Sequence, residues 1–382
     1  MYNDDIDAEL KLFRESLDKF CEAEIEPFYG QWEKQGQVPR ELFDKCAEAG
    51  LLCVDVPEAY GGLGVDPRFS FAVVEVMSRR GYGGFVGGLQ VHNDIVPPYL
   101  LHFGSEEQKQ MWLPKLCSGE VVSAIGMTEP GAGSDLKNLR TDARREGDGY
   151  VLSGSKIFIS NGQHADLVLV AARTDRQAGA KGISLFLVDT RLPGFKRGRN
   201  LEKVGQHAAD TSEMFFDEMH LPASALLGET GKGFAMMMQE LPRERLIIAV
   251  QSVGLAAGAR DLTLRYVGER EAFGSPIASL QNTRFTLAQV DTEIAAADAL
   301  TARGIDRYCR GELTPEDAAA MKLFSSEVAG RVTDSCLQLF GGYGYMVEYP
   351  ISRFWADARV IRIYGGTSEI MKEVIARSLL GR

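Results

Sequence analysis

The chain is poor in the residue patterns that announce metal or redox chemistry. Its six cysteines, at positions 21, 46, 53, 117, 309 and 336, form no C-x-x-C pair. In a chain of this size that argues against a disulfide framework and for reduced thiols. Five histidines (92, 102, 164, 207, 220) give neither H-E-x-x-H nor any other metal-ligand spacing, so no metal site is expected. No G-x-G-x-x-G or G-K-[ST] occurs, which excludes the usual nicotinamide and Walker nucleotide sites. Positive charge is in deficit: 42 basic against 53 acidic residues leave a net charge of -11. Nucleic acid and anionic membrane need clustered Lys and Arg, so neither is an expected partner. No uninterrupted apolar run is long enough to span a bilayer. The acidic start M-Y-N-D-D-I-D-A-E-L is unlike a presequence. A soluble, reducing, cytoplasmic location is the resulting expectation.

What remains is an ordinary globular composition, 45% hydrophobic and 25% charged over 382 residues, enough for two or three domains. The texture along the chain changes twice. Residues 1–120 carry helical spacing, with Leu10, Phe13, Leu17 and Phe20 at steps of three and four. Ser105 and Gln108 have capping-box spacing ahead of Met111 and Leu113. The glycine-dense G-Y-G-G-F-V-G-G, residues 81–88, reads as a loop or a close helix contact. Over 121–229 short apolar or alternating runs follow one another, such as G-Y-V-L-S-G-S-K-I-F-I-S and L-V-L-V-A-A-R. With no helical pattern of about ten residues between them, antiparallel pairing is expected. Over 230–382 helices return. One runs from Gly233 to about Arg270, interrupted at Pro242, and Thr314-Pro315-Glu316-Asp317 starts another. The expected class is α+β: a helical domain, a central antiparallel β domain, and a C-terminal helical bundle.

Several segments carry possible chemistry. A-I-G-M-T-E-P-G-A-G-S-D, residues 124–135, is a strand entering a turn whose small residues let a ligand approach backbone N–H groups. It is followed in order by S-G-S-K-I-F-I-S-N-G, R-E-A-F-G, Gln281, Q-L-F-G-G-Y-G-Y and I-Y-G-G-T-S-E-I. Taken together these resemble the acyl-CoA dehydrogenase family over essentially the whole chain. That resemblance implies an N-terminal helical domain, a β domain and a C-terminal four-helix bundle, a non-covalent FAD, and an acyl-CoA substrate. It also implies an electron-transfer flavoprotein as electron acceptor and a homotetramer arranged as a dimer of dimers.

Carried onto this chain residue by residue, the resemblance puts Met127, Thr128 and Ser160 against the flavin ring, with Phe158 on its face. Many relatives have Trp and Thr where Phe158 and Ser160 stand. Gly133, Ser134, Arg270, Phe273, Gln281, Gln338, Gly342, Thr367 and Glu369 fall at other cofactor positions, the pyrophosphate and adenosine lying across a subunit interface. Ser134 also falls near CoA, and Gln90, Arg245 and Tyr364 at the substrate.

The reaction class needs a base to take the α-proton and donors for the thioester oxygen. In many members the base is a glutamate directly after the tyrosine of I-Y-x-G-T; here Gly365 stands there. A minority, the long-chain and isovaleryl-type enzymes, place it at a second position, which matches Glu244 in Q-E-L-P-R-E-R-L. By composition alone Arg243-Glu244-Arg245 reads as a solvated helix face. The missing carboxylate at 365 makes Glu244 the expected base, entering a volume that Gly365 clears while the Gly365 N–H faces the thioester oxygen. Within the enzyme class an oxidase using O₂ is the alternative; outside it, a non-catalytic acyl-CoA-binding protein.

Overall fold

The structure is a computed structural model, and it describes residues 4–381. Seven helices build the first part: α1 (Asp4–Glu24), α2 (Tyr29–Gln35), α3 (Glu41–Glu48), α4 (Arg68–Arg79), α5 (Gly83–Gln90), α6 (Val96–Phe103) and α7 (Glu106–Cys117). In α1, Leu10 and Leu17 are buried, while Phe13 and Phe20 pack from the edge. The α7 start is a complete capping box: Ser105 Oγ accepts from Gln108 N, and Gln108 Oε1 from Ser105 N.

Of the two readings of the glycine-dense segment the close helix contact holds: from Gly83 it is helix α5. A Cβ on Gly84 would lie 2.9 Å from Ala209 N, and one on Gly88 would run into the Asn161 side chain. Only glycine lets this helix sit so close to the β domain. Between α5 and α6 the chain widens into a π-turn over Val91–Ile95, where His92 is fully buried. Its Nε2 lies 3.0 Å from Leu116 O, and burial pushes the imidazole down to about 4. It is a structural histidine.

The β domain is one eight-stranded sheet, ordered β6-β7-β3-β2-β4-β5-β8, with β1 also paired to β4. The strands are β1 (Ser123–Gly126), β2 (Asp142–Glu146), β3 (Gly149–Ser160), β4 (Leu167–Arg173), β5 (Ile183–Asp189), β6 (Phe195–Asn200), β7 (Thr211–Leu221) and β8 (Leu226–Leu227). Pairing is mostly antiparallel, but β1 runs parallel to β4, as does the single β2–β4 bridge. The β2–β3 hairpin separates β1 from β4 in sequence, and that long connection permits the parallel contact. Along β4 the residues alternate between two cores: Leu167, Leu169 and Ala171 face the helices, and Val168, Val170 and Ala172 the opposite side. Burial on both faces explains the unbroken apolar run.

The C-terminal helices are α8 (Gly233–Glu269), α9 (Gln281–Cys309), α10 (Pro315–Phe340), α11 (Pro350–Ile361) and α12 (Ser368–Leu379), with a β9–β10 hairpin (Glu271–Ala272, Ser275–Pro276) between α8 and α9. Helix α10 packs against the other four. Thr314 caps it, accepting from Asp317 N. The expected interruption at Pro242 is absent: α8 is one helix of 37 residues. Its flanking turns are buried, Met236 and Met237 before the proline and Arg243 to Ile248 after it, and this packing outweighs the lost backbone bond. Contrary to the sequence expectation, α8 is long and apolar enough to cross a membrane, but 83% of its most apolar window is buried within the protein. It is a core helix. Gly365 and Gly366 form the turn between α11 and α12, with φ of +63° and +93°.

Candidate active site

The R-E-R run is not a solvated face. Arg243, Glu244 and Arg245 are 7%, 7% and 6% exposed. Arg243 is spent on structure: its Nη2 donates to Asp94 at 3.0 Å and pairs with Asp55 at 2.7 Å, while Nη1 donates to the Tyr308 hydroxyl. Among the described residues Glu244 has one hydrogen bond, from the Tyr99 hydroxyl on α6 to Oε1 at 3.0 Å. Burial raises its carboxyl to about 7; the Tyr99 bond and Arg245 oppose this, and nearby Glu240 adds to it. A carboxyl poised near neutrality in an apolar setting has the properties of a general base. Arg245 Nε is buried without a hydrogen-bond partner among the described residues. Burial lowers its guanidinium and Glu244 works against that.

Gly365 faces this part of α8, but not Glu244 itself. A Cβ there would collide with Ile248 Cδ1, one turn beyond Glu244 on the same helix. At the Cβ position of 365 the neighbour is thus Ile248, and no Glu244 atom comes within 4 Å of it. The Gly365 N–H makes no backbone hydrogen bond among the described residues. Beside it, the Tyr364 hydroxyl donates to Gln251 Oε1 at 2.7 Å, and Gln90 Nε2 approaches the same oxygen at 3.4 Å. Gln251 Nε2 is buried and unpaired among the described residues.

A second group sits at the top of the sheet. The Ile157 N–H donates to Thr128 O at 3.0 Å, tying the Met127–Thr128 segment to a bulge in β3. At that bulge Phe158 has φ +61° and is 63% exposed. A phenylalanine held with positive φ and its ring uncovered is strained backbone of the kind kept at binding sites. Ser160 is half-buried two residues on, opposite Thr211. Beneath, Lys156 Nζ is fully buried and donates to Met127 O and to Glu129 Oε1, at 3.2 and 2.8 Å. Burial pushes this ammonium down to about 8 despite Glu129. Gly133 and Ser134 stand exposed in the loop that follows, and a Cβ on Gly133 would meet nothing.

The third group is open. Arg270, Gln338 and Gly342 line one cavity of about 530 Å³, with the Arg270 guanidinium 5.5 Å from the Tyr343 ring centre. Phe273, at the tip of the β9–β10 hairpin, is 95% exposed at φ +54°, and Gln281 is exposed at the start of α9. Neither lines the cavity. Thr367 caps α12, accepting from Ile370 N, and Glu369 is exposed in that first turn. These two lie apart from the cavity.

Tyr99, Glu240, Ile248, Gln251 and the Lys156–Glu129 pair escaped sequence reasoning. Tyr99 lies 145 positions from its partner, and no periodicity links them.

Three family models match in order: the acyl-CoA dehydrogenase N-terminal domain over residues 7–120, the middle domain over 124–219 and the C-terminal domain over 231–380. A long-chain specific acyl-CoA dehydrogenase of Sus scrofa mitochondria is 45% identical over 376 residues, 98% of this chain and 87% of that protein. An acyl-CoA dehydrogenase structure from Geobacillus kaustophilus superposes with TM-score 0.95 at 46% identity, covering 97% of this chain and 98% of that one. Butyryl-CoA dehydrogenase from Megasphaera elsdenii gives 0.94 at 35% identity, with the same coverage. The chain belongs to the acyl-CoA dehydrogenase family, whose members are FAD-dependent enzymes. Its residues fit that cofactor: an uncovered aromatic on strained backbone beside Met127–Thr128, and a separate arginine-bearing cavity edged by bare glycine.

Proposed function

We propose that the protein oxidises a medium-chain, long-chain or branched acyl-CoA to its trans-2-enoyl-CoA, with Glu244 as the base that removes the α-proton. The observation that carries this is the buried Glu244 carboxyl near neutrality, with a single hydrogen bond. Bound FAD supplies the acceptor for the hydride that leaves the β-carbon. Met127, Thr128 and Ser160 would hold its ring edge and Phe158 its face; Arg270, Gln338 and Gly342, with Phe273 and Gln281, its pyrophosphate and adenosine end. Gly133, Thr367 and Glu369 would complete its surroundings.

In the ionised form Glu244 takes the α-proton through the oxygen that Tyr99 does not engage. Tyr99 keeps the carboxylate in one rotamer, which fixes where that oxygen points. The Gly365 N–H, which has no backbone partner among the described residues, would donate to the thioester oxygen as it gains negative charge. Arg245 and Tyr364 orient the acyl-CoA, Gln90 bounds its chain, and Ser134 meets the CoA portion at the exposed loop. The long-chain relative supports a deep acyl channel.

Electrons then pass to an electron-transfer flavoprotein, and the enzyme works as a homotetramer. The uncovered Phe273, Tyr345 and Val347 near the Arg270 cavity support a second subunit at that end. Six free cysteines, five of them buried, support a reducing, cytoplasmic setting.

The test is Glu244→Gln. It removes the base while keeping an acceptor for Tyr99, so turnover with a panel of acyl-CoAs should fall by at least about a thousandfold with FAD still bound. Substantial turnover in that variant removes Glu244 from the mechanism.

A further inference from the structure

Glu244 has a carboxylate neighbour one turn earlier on α8. Glu240 is 4% exposed, and its Oε1 lies 2.7 Å from Nδ1 of His102 on α6. Tyr99 and His102 are one turn apart on α6, as Glu240 and Glu244 are on α8. The two helices thus face each other through a ladder of two rungs: Tyr99–Glu244 inside, and His102–Glu240 towards the rim, where half of the imidazole meets solvent.

We propose that His102 and Glu240 are positioning residues for the base: the charge of the half-exposed imidazole decides whether Glu240 presents Glu244 with a bare anion or a neutral pair. The inference rests on Glu244 being the base. Two carboxylates a helical turn apart in a dry contact repel, so a bare Glu240 holds the proton on Glu244. A protonated His102 cancels that field and keeps Glu244 available at lower pH. The Glu240 hydrogen bond raises His102, against its partial burial, so the cation persists towards neutrality.

The other charged or titratable groups around this ladder do not take over the role. Arg243 is held by Asp55, Asp94 and Tyr308. Arg245 points its effect at Glu244 itself, with Lys322 of α10 behind it. Arg243 and Lys109 of α7 both act on His102 with the opposite sign, and the Tyr99 O–H donates to Glu244.

The prediction is a pair of shifts of opposite sign. In the FAD-loaded enzyme, kcat/KM is measured from about pH 5 to about pH 9. His102→Gln leaves Glu240 bare and should move the acid limb up by about one pH unit; Glu240→Gln removes the anion and should move it down by a similar amount. Because His102 acts only through Glu240, the double variant should follow Glu240→Gln and not His102→Gln. A purely structural role would not produce opposite signs. As a readout independent of turnover, the His102 ring is titrated by ¹³C NMR in wild type and in Glu244→Gln. Coupling is reciprocal, so loss of the Glu244 charge should lower the His102 midpoint. Shifts of the same sign, no shift in either limb, or an unmoved His102 midpoint would overturn the ladder. Active Glu244→Gln would instead overturn the base assignment beneath it.

Discussion

The contact between α6 and α8 and the open end formed by Arg270, the β9–β10 hairpin and the end of α10 are built on contrary lines. In the first, Tyr99, Glu240, Glu244 and Arg245 are all buried, and burial itself sets the carboxyl near neutrality. In the second, Arg270, Phe273, Gln281 and Gln338 are all exposed, and Phe273 shows almost its whole surface. A proton-transfer group gains from dryness, because low dielectric tunes its affinity for the proton. A phosphate-binding group gains from remaining hydrated until its ligand arrives, since charge-assisted bonds then replace water without a standing desolvation cost. One chain carries both environments, and each suits the role proposed for it.

Three substitutions would break or sharpen that contrast. The largest effect is expected in the enclosed region at Gly365. Gly365→Ala puts a Cβ into Ile248 and onto backbone of φ +63°, which should cost about 2–4 kcal/mol in denaturant unfolding. Adding Ile248→Ala should recover the crowding part and not the backbone part. Full tolerance of Gly365→Ala would mean that the turn and α8 are not closely packed.

In the open region, Arg270→Ala should weaken FAD by about 30-fold, roughly 2 kcal/mol, with little change in apoprotein melting. Flavin absorbance after gel filtration reads this directly. Equal loss of apoprotein stability would make Arg270 a packing residue instead.

The smallest effect contrasts the regions through pH. Glu244 has its folded carboxyl raised from 4.5 to about 7. Its stabilising contribution is therefore present below the unfolded value and lost as pH rises through about 7. Glu244→Gln should melt like wild type near pH 4 and be more stable by about 1–2 kcal/mol near pH 8, part of the gain being offset by burial of the amide. Thermal melts at the two pH values decide it.

Much of the architecture was legible because it is local. The capping box at Ser105, the cap at Thr314 and the two-sided apolar run of β4 are each contained within a few residues. The parallel β1–β4 pair and the unbroken α8 were not, because each depends on what packs against it. The same holds at the site. Glu244 could be singled out from its motif and from the missing carboxylate at 365, but what fills the space beside Gly365 could not.

By itself the sequence determined the family, the order of helical, β and helical parts, and which carboxylate the resemblance puts at the second base position. Those are carried by residue type and spacing along the chain. Only the tertiary structure decided that Ile248 packs against Gly365, that Tyr99 bonds Glu244, and that His102 pairs with Glu240 one turn away. Each is a contact between segments far apart in sequence, and an electrostatic environment exists only once such segments have excluded water together.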